Sequence, residues 1–167
     1  TQAMIRMAHD AGASARIVET VVEVNAAQKL RMVSKIEQAL GGNVADKTIA
    51  VLGLTFKPET DDMRDAPALT ILPALIERNA ILRAHDPAGI EEAKKELPTG
   101  IHYADKIEDT VQGADAVVLL TEWNEYRGLD LARLKSLMKG DVFVDLRNVY
   151  EQDLMEAHGF SYCCVGR

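Results

Sequence analysis

The sequence predicts an α/β fold: a Rossmann-like, doubly wound parallel sheet of about six strands, preceded by a long α-helix. Two observations predict it. From residue 46 onward, short apolar runs alternate with amphipathic segments of helical length. That rhythm means parallel strands joined by crossover helices. The strands themselves are continuously apolar, most clearly "TIAVLGLTF" (48–56) and "ADAVVLLT" (114–121). Strands of a parallel sheet read this way because helices cover both of their faces.

The first forty residues read as helix, with no Pro or Gly between Ala13 and Leu40. Ile17, Val21, Val24, Leu30, Val33 and Ile36 recur at helical spacing, Ser14 is placed to cap the start, and Gly41-Gly42 ends the run. Such a helix spans roughly 40 Å at 1.5 Å per residue. It either packs on its own domain or connects to a second domain or subunit. The first strand, 48–56, leads into a helix over 65–79, with Asp65 as cap and Pro67 in its first turn. Pro73 falls inside that helix and is expected to kink or break it. The second strand is 81–87, followed by a short helix from Gly89 to Leu97, a weak strand at 101–104 and a helical turn or two at 106–112. The fourth strand is 114–121. A helix over 129–138, a strand over 141–148, a helix over 152–159 and a last strand over 161–167 complete the chain. The organisation is thus a helical region, 1–45, and a Rossmann-like domain, 46–167.

Bulk properties exclude several classes. The net charge of −7 argues against a nucleic-acid or anionic-membrane surface. No apolar run approaches the ~18 residues of a membrane span. The start lacks the apolar core of a signal peptide, and it lacks an initiator Met, so a piece of a longer protein is expected. Cys163 and Cys164 are adjacent and read as small strand residues, and the four histidines have no ligand spacing, so no metal site is inferred. A reducing cytoplasm fits.

Ligands of open α/β sheets bind beyond the carboxyl ends of the strands, at the switch point. The exits there read "TFKPETDDMRD", "HDP", "LTEWNEY" and "DLRNVY". The first carries no GxGxxG, so a pyrophosphate held by a glycine turn is not expected. Charge must come from side chains instead. Lys57, Arg64 and Arg147 are the candidates, since Arg offers a planar fork to phosphate oxygens and Lys a point charge. Phe56 and Trp123 are candidates for stacking on a base. The competing reading makes Arg64 a surface ion pair among Asp61, Asp62 and Asp65, and Arg147 a partner of Asp145. On the residues alone, the reading stops at a Rossmann-like domain for an anionic, nucleotide-like ligand.

"GLTFKPETDDMRDAP" (53–67) closely resembles the signature of the C-terminal domain of the UDP-glucose/GDP-mannose dehydrogenase family, in the form of its UDP-glucose 6-dehydrogenase branch. "LLTEWNEY", "VFVDLRNVY" and "GFSYCCVGR" resemble that family's later motifs, in order, and "RIVETVVEVNAAQK" (16–29) its central helix. The resemblance implies a three-part enzyme: an NAD-binding Rossmann domain, a central helix that forms a homodimer, and a C-terminal domain that holds the UDP end of the substrate. It implies two NAD⁺ per turnover, oxidation of UDP-glucose to UDP-glucuronate, and a nucleophilic cysteine in the N-terminal half. It further implies that Phe56, Lys57 and Arg147 contact the UDP-sugar and that Arg64 reaches NAD. Cys163 and Cys164 do not match the nucleophile, so the chain is expected to hold no catalytic residue and to be inactive alone. The alternatives are a UDP-N-acetylmannosamine or GDP-mannose dehydrogenase of the same family, or a non-catalytic nucleotide-binding or dimerisation module.

Overall fold

Short apolar runs at the strands explain the central layer. The computed structural model describes residues 2–166. Its strands are β1 (Thr48–Leu52), β2 (Ile81–His85), β3 (Ile101–Tyr103), β4 (Ala116–Leu119), β5 (Val142–Asp145) and β6 (Ser161–Cys164). They form a six-stranded sheet in the order β3-β2-β1-β4-β5-β6, with every pairing parallel. The order reverses between β1 and β4, which is the switch point of a doubly wound fold. Register places His85, Leu52, Leu119, Asp145 and Cys164 in one row at the carboxyl edge. Every exit named from the sequence therefore opens on the same side.

The helices are α1 (Gln2–Asp10), α2 (Arg16–Ala39), α3 (Ala68–Ile76), α4 (Ile90–Glu96), α5 (Ile107–Val111), α6 (Asn124–Arg127), α7 (Leu131–Leu137) and α8 (Gln152–Ala157). Alternate residues of β1 feed two cores. Ile49 and Val51 pack with Val33, Ile36, Ile71 and Leu75 of α2 and α3. Ala50 and Leu52 pack with Val111, Leu131, Leu134 and Met155 on the other face. Both faces are dry, which is why β1, β4 and β5 show no polar alternation.

Several boundaries differ from the sequence expectation. The opening helix is two helices, because Gly12 takes φ +67 and ends α1. Ser14 does not cap α2, which starts at Arg16 after Ala15 with no side-chain cap. Asp65 does not cap α3: it sits at φ 61, outside the helix, and α3 begins only after Pro67. The helix then runs unbroken through Pro73 and ends at Ile76. The last strand stops at Cys164, and Arg167 lies outside the described residues. One element was not expected, the single turn α6 inside the exit from β4.

Only the last part of α2 enters the core. Met32, Val33 and Ile36 are buried, whereas Ile17 is 82% exposed and Val21, Val24 and Leu30 are also open. Met4 and Met7 of α1 extend this exposed apolar surface.

A close backbone contact bridges β1 and β4 just beyond the switch point. Gly53, at φ +89, lies so near the exit from β4 that an added Cβ would sit 2.6 Å from both Cβ and N of Thr121. Gly53→Ala is therefore expected to destabilise the fold by more than about 2 kcal/mol, from strain and overlap together. Gly100→Ala has a similar φ of +102 but open space around it, and should cost only about 1 kcal/mol. Urea unfolding of both variants checks the difference.

Candidate functional site

Two buried carboxylates shape the carboxyl edge. Asp86 follows β2 and is 3% exposed. Its Oδ2 accepts from Leu54 N (2.7 Å), Thr55 N (3.2 Å), Thr55 Oγ1 (3.2 Å) and Trp123 Nε1 (3.3 Å). Its Oδ1 accepts from Ala88 N (3.0 Å) and Gly89 N (2.7 Å), at the entry to α4. Three exits thus hang on one side chain. Beside it, the Tyr126 hydroxyl donates to the His85 carbonyl (3.0 Å) and accepts from His85 Nδ1 (2.8 Å), which assigns the ring proton to Nδ1. Burial pushes the Tyr126 phenol far above its ordinary range.

Asp145 does the same for the exit from β5. It is fully buried. Oδ1 accepts from Arg147 N (2.9 Å), and Oδ2 from Val149 N (2.7 Å), Tyr150 N (3.0 Å) and the Tyr162 hydroxyl (2.9 Å). Burial raises the Tyr150 phenol to about 12. The turn so formed projects Arg147 toward the exit from β4. There its Nε and Nη2 donate to the two oxygens of Glu122, at 2.5 and 2.9 Å. Hydrogen bonding from Arg147 is the main reason the Glu122 carboxyl is held below its usual range.

The exit from β1 is a strained hairpin-like loop. Phe56 N donates to the Asp62 carbonyl (2.9 Å), and Glu59 and Asp65 both take positive φ. Such conformations cost about 1–3 kcal/mol each for side chains of this kind. Asp62 closes the loop by accepting from Arg64 N and Nε (each 2.9 Å) and Nη2 (2.6 Å). Lys29 of α2 reaches the loop from outside and donates to the Asp65 carbonyl (2.9 Å).

Of the clefts along this edge, two involve the sequence-predicted residues. One, of about 160 Å³, lies beside the switch point, between α2, α3 and the exits of β4, β5 and β6, lined by Lys29, Met32, Ile71, Leu120, Arg147 and Val165 among others. The other, of about 490 Å³, is acidic. Asp61, Asp62, Glu92 and Glu96 line it with Arg64.

The four sequence-predicted residues share the edge but not one cleft. Arg147 lines the switch-point cleft, and its partner is Glu122 rather than Asp145, which takes only its backbone N–H. Arg64 lines the acidic cleft with its side chain 90% exposed and paired to Asp62. Phe56 and Lys57 stand exposed at the β1 exit and line neither cleft. Phe56, 48% exposed, has a free ring edge. Trp123 does not: it is 6% exposed, packed in the core and held by Asp86, so it cannot stack on a base. Sequence reasoning missed Lys29, Glu122, Asp86 and Asp145. Lys29 had a signal, since it lies one turn before Met32, Val33 and Ile36 and so continues their buried face with a charge.

A parallel sheet in this order, with charged side chains along its carboxyl edge, defines a doubly wound α/β domain of Rossmann type. Residues 50–152 match the UDP binding domain of the UDP-glucose/GDP-mannose dehydrogenase family, and the chain belongs to that family. It is 47% identical over all 167 residues to a UDP-glucose 6-dehydrogenase of Rhizobium meliloti (strain 1021), and 40% identical over the same length to UDP-glucose 6-dehydrogenase YwqF of Bacillus subtilis (strain 168). It spans 38% of each relative's length. Among solved structures, a UDP-glucose dehydrogenase from the archaeon Pyrobaculum islandicum superposes with a TM-score of 0.72 at 31% identity, over 86% of this chain and 31% of that one.

The Asp62–Arg64 pair makes a pH prediction. Hydrogen bonds from the Arg64 side chain and then its backbone hold the Asp62 carboxyl at about 2, below its ordinary 3.8. A depressed carboxylate favours the folded loop above the ordinary value and loses that support as pH falls through the lowered one. NMR titration should give an Asp62 midpoint near 2, and Arg64→Ala should return it only part of the way to 3.8, because the backbone N–H of residue 64 still donates.

Proposed function

We propose that this chain is the UDP-sugar-holding domain of an NAD-dependent UDP-glucose 6-dehydrogenase, which converts UDP-glucose to UDP-glucuronate. The observation that carries the proposal is the 47% identity along the whole chain to an enzyme of that name. Oxidising a primary alcohol to an acid removes four electrons, so two hydride transfers are needed. NAD⁺ supplies the acceptor for each hydride when bound. The present residues fit its contact at one point only. Arg64 projects from an acidic cleft that repels a pyrophosphate, and fits a cofactor held mainly by another domain, reaching it from the rim.

The placement of the other candidates supports the remaining roles in this reading. Arg147 offers its free guanidinium edge to the diphosphate at the switch point. Lys57 adds a point charge from the β1 exit, and Phe56 lends an exposed ring to the nucleoside. None of these groups transfers a proton or bonds to the sugar. The domain binds and orients, and the dry strands beneath keep the edge rigid. The exposed stripe of Ile17, Val21 and Val24 on α2 is the surface of a homodimer, since isolated exposed apolar residues are ordinary but a helical row of them marks an interface. Two free thiols, Cys163 and Cys164, suit the reducing cytoplasm where nucleotide sugars and NAD are found.

In the complete dehydrogenase, Lys57→Ala and Arg147→Ala should each raise the UDP-glucose requirement roughly ten- to a hundred-fold, as expected for one charge-assisted contact at ~1.4 kcal/mol per decade. Arg64→Ala should raise the NAD⁺ requirement and touch UDP-glucose less. Steady-state kinetics with each substrate varied decide it. If neither requirement moves in the three variants, the site assignment fails. Sedimentation of an Ile17→Glu, Val24→Glu variant should show monomer where the parent shows dimer; a parent that is already monomeric would refute the interface.

A further inference from the structure

We infer that Glu122 is a positioning residue that aims the guanidinium of Arg147 into the switch-point cleft. This rests on the proposed function above, in which Arg147 binds the UDP-sugar. The geometry has three parts. First, the backbone of Arg147 is fixed from below, because its N–H donates to the fully buried Asp145. Second, the side chain is fixed from one edge. Glu122 takes Nε and Nη2 together, at 2.5 and 2.9 Å, in the two-bond form that sets the plane of the fork as well as its place. Third, the other edge is left open. Arg carries five N–H donors, and Nη1 has no partner among the described residues, while Arg147 itself lines the cleft.

The pair is not needed to hold the two exits together. The neighbours of Glu122 are already tied down. Thr121 Oγ1 donates to the Thr55 carbonyl (2.6 Å), and Trp123 Nε1 to Asp86 (3.3 Å). The exit from β5 is joined to β4 by Leu146 N to the Leu119 carbonyl (3.1 Å). An ion pair whose side chains are still 35% and 23% exposed, placed on top of these bonds, adds only modest stability. What it does add is direction. An unheld Arg side chain samples many rotamers and must be ordered when ligand binds, which weakens binding. Glu122 removes that loss in advance. It also partly neutralises a cation that would otherwise attract any passing anion, so the fork favours a ligand that meets its open edge.

A double-mutant cycle in the complete dehydrogenase tests this. Glu122→Ala should raise the KM for UDP-glucose roughly ten-fold, with kcat within about two-fold and the KM for NAD⁺ unchanged. Glu122→Gln, which keeps the shape and one acceptor oxygen, should show a smaller rise. In an Arg147→Ala background, Glu122→Ala should add nothing further, because there is no fork left to aim. The thermal midpoint should stay near the parent's throughout. A KM within two-fold of the parent in Glu122→Ala overturns the inference, as does an equal rise with and without Arg147. If Arg147→Ala alone leaves the KM unmoved, the assignment of Arg147 to the substrate falls, and this inference falls with it; a rise in Arg147→Ala with none in Glu122→Ala sinks the positioning role only.

Discussion

The carboxyl edge depends on one buried charge. Asp86 accepts six hydrogen bonds from the exits of β1, β2 and β4, and it does so almost without solvent. A carboxylate taken out of water is tolerable only when its lone pairs are met, and here both oxygens are. The geometry runs outward from it. The Leu54 and Thr55 amides start the β1 loop in one direction, the Gly89 amide starts α4, and the Trp123 indole pins the β4 exit. Gly89 is glycine for the same reason: an added Cβ would lie 2.3 Å from Thr55 Cγ2 and 3.1 Å from Asp86 Oδ1. With the exits fixed this tightly, side chains beyond them can be presented on a rigid rim.

That rim explains why no glycine-rich turn is found. In a fingerprint loop, glycines let the backbone approach a pyrophosphate. Here the close approach permitted by Gly53 is made to Thr121, within the protein. The backbone is used up in bridging the switch point, so in the proposed function recognition of an anion is assigned to Arg and Lys side chains. The two arginines then differ in a way the sequence does not show. Arg64 is held by a neighbour two residues away, on its own loop and in solvent, as a local loop clasp. Arg147 is held across 25 residues by a different loop and is about two-thirds buried.

The fold was legible because its signal is periodic. Apolar runs of strand length and intervening helices needed only alternation to be seen, and β1, β4 and β5 are as dry as their composition implied. Helix starts were harder. Ser14 and Asp65 are good capping residues by type, yet α2 and α3 begin later, because Gly12 and the αL turn at Asp65 redirect the chain first. The site was half legible. Arg147, Lys57 and Phe56 stood out as charges and a ring at strand exits. Trp123 stood out too, but whether an aromatic faces ligand or core turns on a hydrogen bond to a residue 37 positions away. Asp86, Asp145 and Glu122 were missed for the same reason. Acidic residues after strands look like solvated loop charges until tertiary structure shows which backbone amides converge on them.

The long helix α2 joins these threads. Its last turns belong to the sheet's core through Met32, Val33 and Ile36, and its earlier turns carry exposed Ile17, Val21 and Val24. Lys29 stands between the two regimes, lining the switch-point cleft and holding the carbonyl of strained Asp65. The helix that presents an unpartnered apolar face is thus bonded directly to the loop that bears Lys57 and Arg64. The exposed apolar turns and the candidate site are therefore structural neighbours, linked by the Lys29 ammonium on the Asp65 carbonyl and by the buried end of the same helix.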